Sequence, residues 1–309
     1  MFTKTQKQII KDNQQKHLKA AISNNNVALV ITKFGKHTLI ETKKGNLLRA
    51  TNKKNIKTAV AGDKVSFQKT DDNSSLITAL LKRKNKINYQ KKTVAANIDN
   101  LWIVVAIKPH FQYELIDRYL ISAFKKNIKA SIIVNKIDIV ADTNKLYNNF
   151  DIYKKIGYKI YYTSAKKNQG INALIKKLNN KNNIFVGQSG VGKSSLINKI
   201  IPNLNITTRE ISKKTNLGKH TTSNTRLYHI LSGGNLIDSP GIREFSLSDL
   251  NDIDILNGYI EFNEFSANCQ FRNCSHINEI NCAIKKAVNE NKISEKRYQN
   301  YLTFSQNKN

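Results

Sequence analysis

Residues 187–195 read Gly187-Gln188-Ser189-Gly190-Val191-Gly192-Lys193-Ser194-Ser195, between an apolar run at 184–186 and a helix-forming stretch at 193–200. Gly187, Gly192, Lys193 and Ser194 satisfy the spacing G-x-x-x-x-G-K-[ST]. Between a strand and a helix, such glycines let backbone N–H groups turn inward on phosphate oxygens. Lys193 supplies a mobile cation for the outer phosphates, and the Ser194 hydroxyl is a hard oxygen suited to Mg²⁺. A chance Gly-rich turn would lack these flanks, so the stretch is read as a nucleotide cradle in an α/β domain.

Working outward, apolar runs and helical patterns alternate. Strands are expected at 101–107, 131–134, 159–162, 227–231 and 235–237, and helices at 113–126, 146–156 and 171–178. This alternation predicts a doubly wound sheet. Three further motifs fall at strand ends. Asp238-Ser239-Pro240-Gly241 alone is a common turn. Beside the phosphate loop, Asp238 is expected to hold Mg²⁺ through water and Gly241 to offer its N–H to the γ-phosphate. Asn135-Lys136-Ile137-Asp138 places a carboxylate where it can accept from the ring N–H and amine of guanine, a donor pair adenine lacks. Asn135 can tie this loop to its neighbours or touch the base, and the Lys136 stem can cover the ring. Ser164-Ala165-Lys166 supplies a backbone N–H for the guanine carbonyl. Together these motifs specify GTP.

Their order is unusual, because the guanine motifs at 135–138 and 164–166 precede the phosphate motifs at 187–195 and 238–241. Circular permutation accounts for this without new chemistry, since domain termini lie close together. Between the phosphate motifs lies a polar segment containing Gly218-Lys219-His220-Thr221-Thr222. Thr221 or Thr222 is a candidate ligand of Mg²⁺ and γ-phosphate, and His220 a candidate to position water or act as a base. Ile242 stands where many GTPases carry a water-orienting Gln, so slow intrinsic hydrolysis is expected.

The flanks carry different chemistry. Five short β-rich runs at 27–32, 38–41, 47–51, 64–68 and 76–81 suit a small barrel, oligonucleotide-binding or SH3-like, followed by a basic linker at 82–92. With 51 basic against 22 acidic residues the net charge is +29, and residues 1–86 alone hold 19 against 5, or +14. A polyanion is the expected partner, met first on the N-terminal side. All 3 Cys lie within residues 269–282. Cys269, Cys274, His276 and Cys282 offer three soft thiolates and an imidazole for one tetrahedral Zn²⁺, with no position left open for catalysis. A helix is expected at 285–304. The N-terminus lacks a signal-like apolar core, and no apolar run approaches the length of a membrane span. No membrane partner is expected.

With these residues in view, the chain resembles the ribosome small subunit-dependent GTPase A family. The resemblance is carried by TVAANIDNLWIVV, LIDRYL, NKID, SAK, GQSGVGKSSLIN, EISKKTNLGKHTT, LIDSPGIREF, the Cys–His cluster and KISEKRYQNYL. It implies an OB-fold barrel at 23–85 after a basic arm at 1–22, a permuted P-loop GTPase domain at 86–245 and a helical zinc domain at 246–309. It also implies a cytoplasmic enzyme using GTP, Mg²⁺ and one Zn²⁺ per chain. Its partners would be the small ribosomal subunit and 16S rRNA, in late subunit maturation; a monomer is expected. His220 matches the family's proposed catalytic His, and Thr222 (or Thr221) its switch Thr, with Lys193 completing the catalytic set. An RNA-modification GTPase is the main rival, but the chain has no spare Cys for a thiol nucleophile.

Overall fold

The computed structural model describes residues 26–54, 56–70, 74–89, 92–202, 225–238 and 250–306. The expected arm at 1–22, the loop carrying His220, Thr221 and Thr222, and Gly241 lie outside the described residues. The described chain falls into two units, one from the ranges 1–99, 178–184 and 209–243, the other from 100–177, 185–208 and 244–309.

The first unit begins with β1 (Val27–Phe34), β2 (His37–Thr42), β3 (Leu47–Asn52), β4 (Lys64–Lys69) and β5 (Ser75–Leu80). β1 pairs with β2 and with β4, β2 with β3, β3 with β5 in parallel, and β5 with β4. The five strands therefore close into the barrel expected for an OB fold, leaving no free edge. Alternate residues Ala28, Val30, Ile40, Ala50, Val65 and Ile77 fill its centre, as the period-2 pattern requires.

Residues 82–92 are not a plain linker. β6 (Lys86–Tyr89) and β7 (Lys92–Ala96) form an antiparallel hairpin. Its lysines hid the alternation that buries Ile87, Ala95 and Ala96 completely. The Ala61-Gly62-Asp63 turn fastens it. Ala96 N–H donates to the Ala61 carbonyl at 3.0 Å, and a Cβ on Gly62 would meet the Ala96 oxygen at 2.2 Å. Asp63, fully buried, accepts from Val60 N–H and receives a two-pronged ion pair from Arg83. This unit also holds the start of β11 (Asn182–Val186), with β12 (Arg226–His229) and β13 (Asn235–Asp238); β13 runs parallel to β11 and antiparallel to β12.

In the second unit β8 (Asn100–Ala106), β9 (Lys129–Asn135) and β10 (Lys159–Tyr162) are parallel, in the order β10-β9-β8. β8 is buried on both faces from Leu101 onward, which is why it reads as a continuous apolar run. The unit's helices are α1 (Tyr113–Lys125), α2 (Thr143–Lys155), α3 (Ile171–Leu178, its last residue shared with the other unit) and α4 (Lys193–Ile200). α5 (Asp252–Gly258), α6 (Asn263–Ser266), α7 (Ala283–Asn289) and α8 (Glu295–Gln306) follow. The single helix expected at 285–304 is thus two. Asn291 takes φ +58°, and the Lys292 and Ile293 N–H groups both return to the Ala287 carbonyl. That turn buries Ile293, which a continuing helix would place elsewhere.

α8 is anchored to α1 by a buried charge network. Arg297 donates to Asp117 at 2.5 Å and to both oxygens of Glu261 at 2.7 and 2.9 Å. Asn300 and Tyr153 donate to Asp117 at 2.6 and 2.8 Å. Every charge finds a partner, the condition under which buried ions are tolerated. Burial is the larger influence on Asp117 and raises its pKa, against the Arg297 charge.

Candidate functional site: a nucleotide cradle and a metal centre

The phosphate loop leaves β11 where Ile184, Phe185 and Val186 are buried. Gly187 takes φ +139°, and a Cβ there would meet the Val104 carbonyl oxygen at 2.1 Å. Gly192, at φ +94°, would meet Asn135 Nδ2 at 2.3 Å. Both glycines are therefore required by close approach as well as by backbone conformation. α4 starts at Lys193 with no acidic residue in its first turn, so its N–H groups and positive dipole end remain suited to an anion. Lys193 Nζ donates to the carbonyls of Gly187 at 2.5 Å and Gln188 at 2.7 Å, which carries its charge across the loop.

The guanine motifs converge on this loop through Asn135. It is buried at the end of β9, its Nδ2 donates to the Val191 carbonyl at 2.9 Å, and its Oδ1 accepts from Ala165 N–H and Thr163 Oγ1, both at 3.2 Å. One side chain thus ties three loops together, the first of the two roles open to it in the sequence. Thr163 was not legible as part of the site; nothing but its place after β10 could have marked it. Lys136 adopts a left-handed conformation and its Nζ donates to the Lys108 carbonyl at 2.9 Å. Ile137 lies in a 3-10 turn with its N–H on the Thr163 carbonyl.

Asp138 is held in place by Ser164, whose hydroxyl donates to Oδ1 at 2.5 Å while accepting from Lys167 N–H. That hydroxyl is the main cause of an Asp138 pKa below the ordinary carboxylate value, with Lys166 and Lys167 adding to it. A lowered pKa keeps Asp138 an acceptor to lower pH. In Ser164→Ala the carboxyl moves back up, so guanine binding, present above the pKa and lost as pH falls through it, should fail at higher pH than in the native protein. Fluorescence titration of GDP from pH 7 to pH 3.5 checks this; a constant ratio of the two affinities over the range would contradict it.

Asp238 ends β13, whose parallel register with β11 pairs Ile237 with Ile184. Ser194 and Ser195 lie in the first turn of α4.

Cys269, Cys274, His276 and Cys282 gather as expected, one ligand atom from each lying within 4.8 Å of all the others. His276 Nδ1 is 3.6 Å from Cys269 Sγ and 3.4 Å from Cys282 Sγ. Tetrahedral Zn²⁺, with bonds of roughly 2.3 Å to sulfur and 2.0 Å to nitrogen, sets such atoms about 3.5 Å apart, so the residues fit the ion. Burial, followed by the neighbouring thiols, pushes Cys274 up to about 12, and burial lowers His276. A dication would relieve the crowding of thiolates. The ligand loop is braced from outside. Tyr298 and Tyr301 donate to the His276 and Ser275 carbonyls at 2.8 and 2.6 Å, and Glu279 accepts from the Ser275 and Ile277 N–H groups at 2.6 and 3.0 Å.

The RsgA GTPase family matches residues 76–248. "Small ribosomal subunit biogenesis GTPase RsgA 1" of Vibrio vulnificus (strain YJ016) is 42% identical over 97% of this chain and 92% of its own. The protein named small ribosomal subunit biogenesis GTPase RsgA in Histophilus somni (strain 129Pt) is 42% identical over 88% of this chain and 81% of its own. The crystal structure of YjeQ from Thermotoga maritima aligns at TM-score 0.77 and 29% identity, covering 90% of this chain and 96% of that one. YloQ, described as a circularly permuted GTPase, aligns at TM-score 0.73 and 27% identity over 90% and 93%. With the phosphate loop after the guanine motifs, on a sheet that follows a closed barrel, this chain belongs to the RsgA GTPase family of GTP-hydrolysing P-loop enzymes.

Proposed function

We propose that this protein binds the small ribosomal subunit and acts in its late maturation, hydrolysing GTP to GDP and phosphate with activity raised by the subunit. The observation that carries the reading is the Asn135 tie between guanine motifs and phosphate loop, in a chain so similar to proteins named for small-subunit biogenesis. No helix among the described residues is long and apolar enough to cross a membrane.

In this reading Asp138 and a backbone N–H of the 164–166 segment select guanine, the Ala165 N–H being held by Asn135, and residues 187–195 enclose the phosphates. Lys193 neutralises charge on the β- and γ-phosphates. Ser194, with Thr221 or Thr222, would offer oxygen donors to Mg²⁺ and Asp238 would hold it through water; when bound, the ion neutralises charge building on the phosphoryl oxygens. His220 positions water or takes its proton, and Gly241 offers its N–H to the γ-phosphate. One Zn²⁺ sits among Cys269, Cys274, His276 and Cys282. The chain works as a cytoplasmic monomer on 16S rRNA, with a basic arm at 1–22, an RNA-binding barrel at 23–85, the GTPase at 86–245 and the zinc domain at 246–309.

The test is multiple-turnover GTP hydrolysis with and without purified small subunits. The native protein should be stimulated at least about tenfold. Lys193→Ala should fall by roughly 10²–10³-fold in both conditions, the loss seen when one preorganised donor to developing charge is removed. Equal rates with and without subunits would overturn the ribosomal reading and leave the GTPase standing.

A further inference from the structure

Within the first unit, the β6–β7 hairpin and the barrel line an open cavity of about 720 Å³. Lys33 lines it from β1, Lys57 from the stretch between β3 and β4, Arg83 and Lys86 from the entry to the hairpin, and Lys92 from β7. Thr225 completes one wall, held by Thr32, whose hydroxyl donates to its carbonyl at 2.9 Å. Among the described residues, no lining residue is acidic and none is aromatic. The carboxylate that does approach, Asp63, is fully buried and consumed by Arg83, whose Nη2 also donates to the Thr58 carbonyl. Arg83 is thereby fixed in direction. The side chains of Lys33, Lys57, Lys86 and Lys92 have no ion-pair or hydrogen-bond partner among the described residues. The four unpaired lysines around one concavity repel one another, and Lys57, Lys86 and Lys92 are exposed enough to have spread apart. An anionic ligand relieves that repulsion.

The lining also limits the kind of anion. Proteins that grip unpaired strands stack the bases on aromatic rings, and the described lining of this cavity offers aliphatic and threonine surface between its cations. Helical RNA presents phosphates and hides its bases, and is read through backbone contacts. We propose that the cavity is a binding site for the sugar–phosphate backbone of helical RNA, lying between barrel and hairpin. The proposal rests on the RNA-partner reading above and adds to it the place and the structural class of RNA.

The experiment uses the full chain and a 20-base-pair RNA hairpin, with an unpaired RNA of equal length for comparison, across 50–300 mM salt. Lys57→Gln, Lys86→Gln and Lys92→Gln are combined in one variant. A charge-matched control combines Lys145→Gln, Lys154→Gln and Lys155→Gln, exposed positions on α2. The cavity variant should bind the hairpin about tenfold or more weakly at 100 mM salt, and its log–log salt slope should be shallower by about 2, at roughly 0.7–0.9 per lost phosphate contact. The control should shift far less, and GDP affinity should be unchanged in both. Equal losses in cavity variant and control would overturn the proposal in favour of a diffuse field. So would a loss confined to the unpaired RNA, a loss confined to anionic lipid vesicles, or displacement of the hairpin by micromolar pyrophosphate. If the native protein bound neither RNA nor small subunits, the ribosomal reading would fail first; a native protein that binds both with a variant that matches it fails the cavity alone.

Discussion

Replacing Asp138 by Asn should turn a guanine-binding protein into a xanthine-binding one. Ser164 already donates its proton to one Asp138 oxygen at 2.5 Å. In Asp138→Asn the amide oxygen keeps that bond, so the amide nitrogen takes the outer position. A donor then faces the amine of guanine, leaving it unpaired. A site built to hydrogen-bond a group rejects the mismatched partner by roughly 10⁴-fold or more, and GDP affinity should fall by about that factor. Xanthosine diphosphate carries a carbonyl where guanine carries the amine and accepts from the new amide, so its binding should rise. Competitive titration with both nucleotides reads the switch. A parallel loss for both would show that Asp138 supports the loop and does not choose the base.

Cys274→Ser should release the metal and melt the region around it. Cys274 and Cys282 are buried within one apolar cluster with Tyr259, Phe262, Tyr298 and Tyr301, and His276 is buried against Phe262. A serine hydroxyl is a poor ligand for Zn²⁺ and leaves an unpaired polar group in that cluster. Structural zinc sites supply on the order of 10–16 kcal/mol of apparent binding free energy, much of it folding energy. Metal analysis should fall from one zinc per chain to under about a tenth, and amide protection should collapse across α7 and the ligand loop. GDP binding should survive, because Asn135, Asp138, Ser164 and the phosphate loop stand on other elements. Full zinc content with intact protection in the variant would remove Cys274 from the ligand set.

Much of this was written locally. Helices α3 and α4 and strand β10 have the bounds their periodicity predicts, because apolar spacing and a Gly start or stop act within a few residues. The phosphate loop and Cys–His cluster were legible for the same reason: their ligands sit close enough in sequence for spacing alone to imply a shared target.

What tertiary structure decided lies across long separations. Asp117 and Arg297 are 180 positions apart, and each alone reads as an ordinary surface charge on an amphipathic helix. Asn135 offered two roles, and only the approach of Val191, 56 positions away, assigned it to holding the loops. The stretch 82–92, which opens the hairpin at 86–96, read as a basic linker because its lysines masked the residues that pack. Sequence determines the local periodicity, the turns and the chemistry of short motifs, since these depend on neighbours along the chain. Which distant polar groups are buried together, and so which charge becomes a strut and which is left facing a cavity, depends on burial that exists only once the chain has closed on itself.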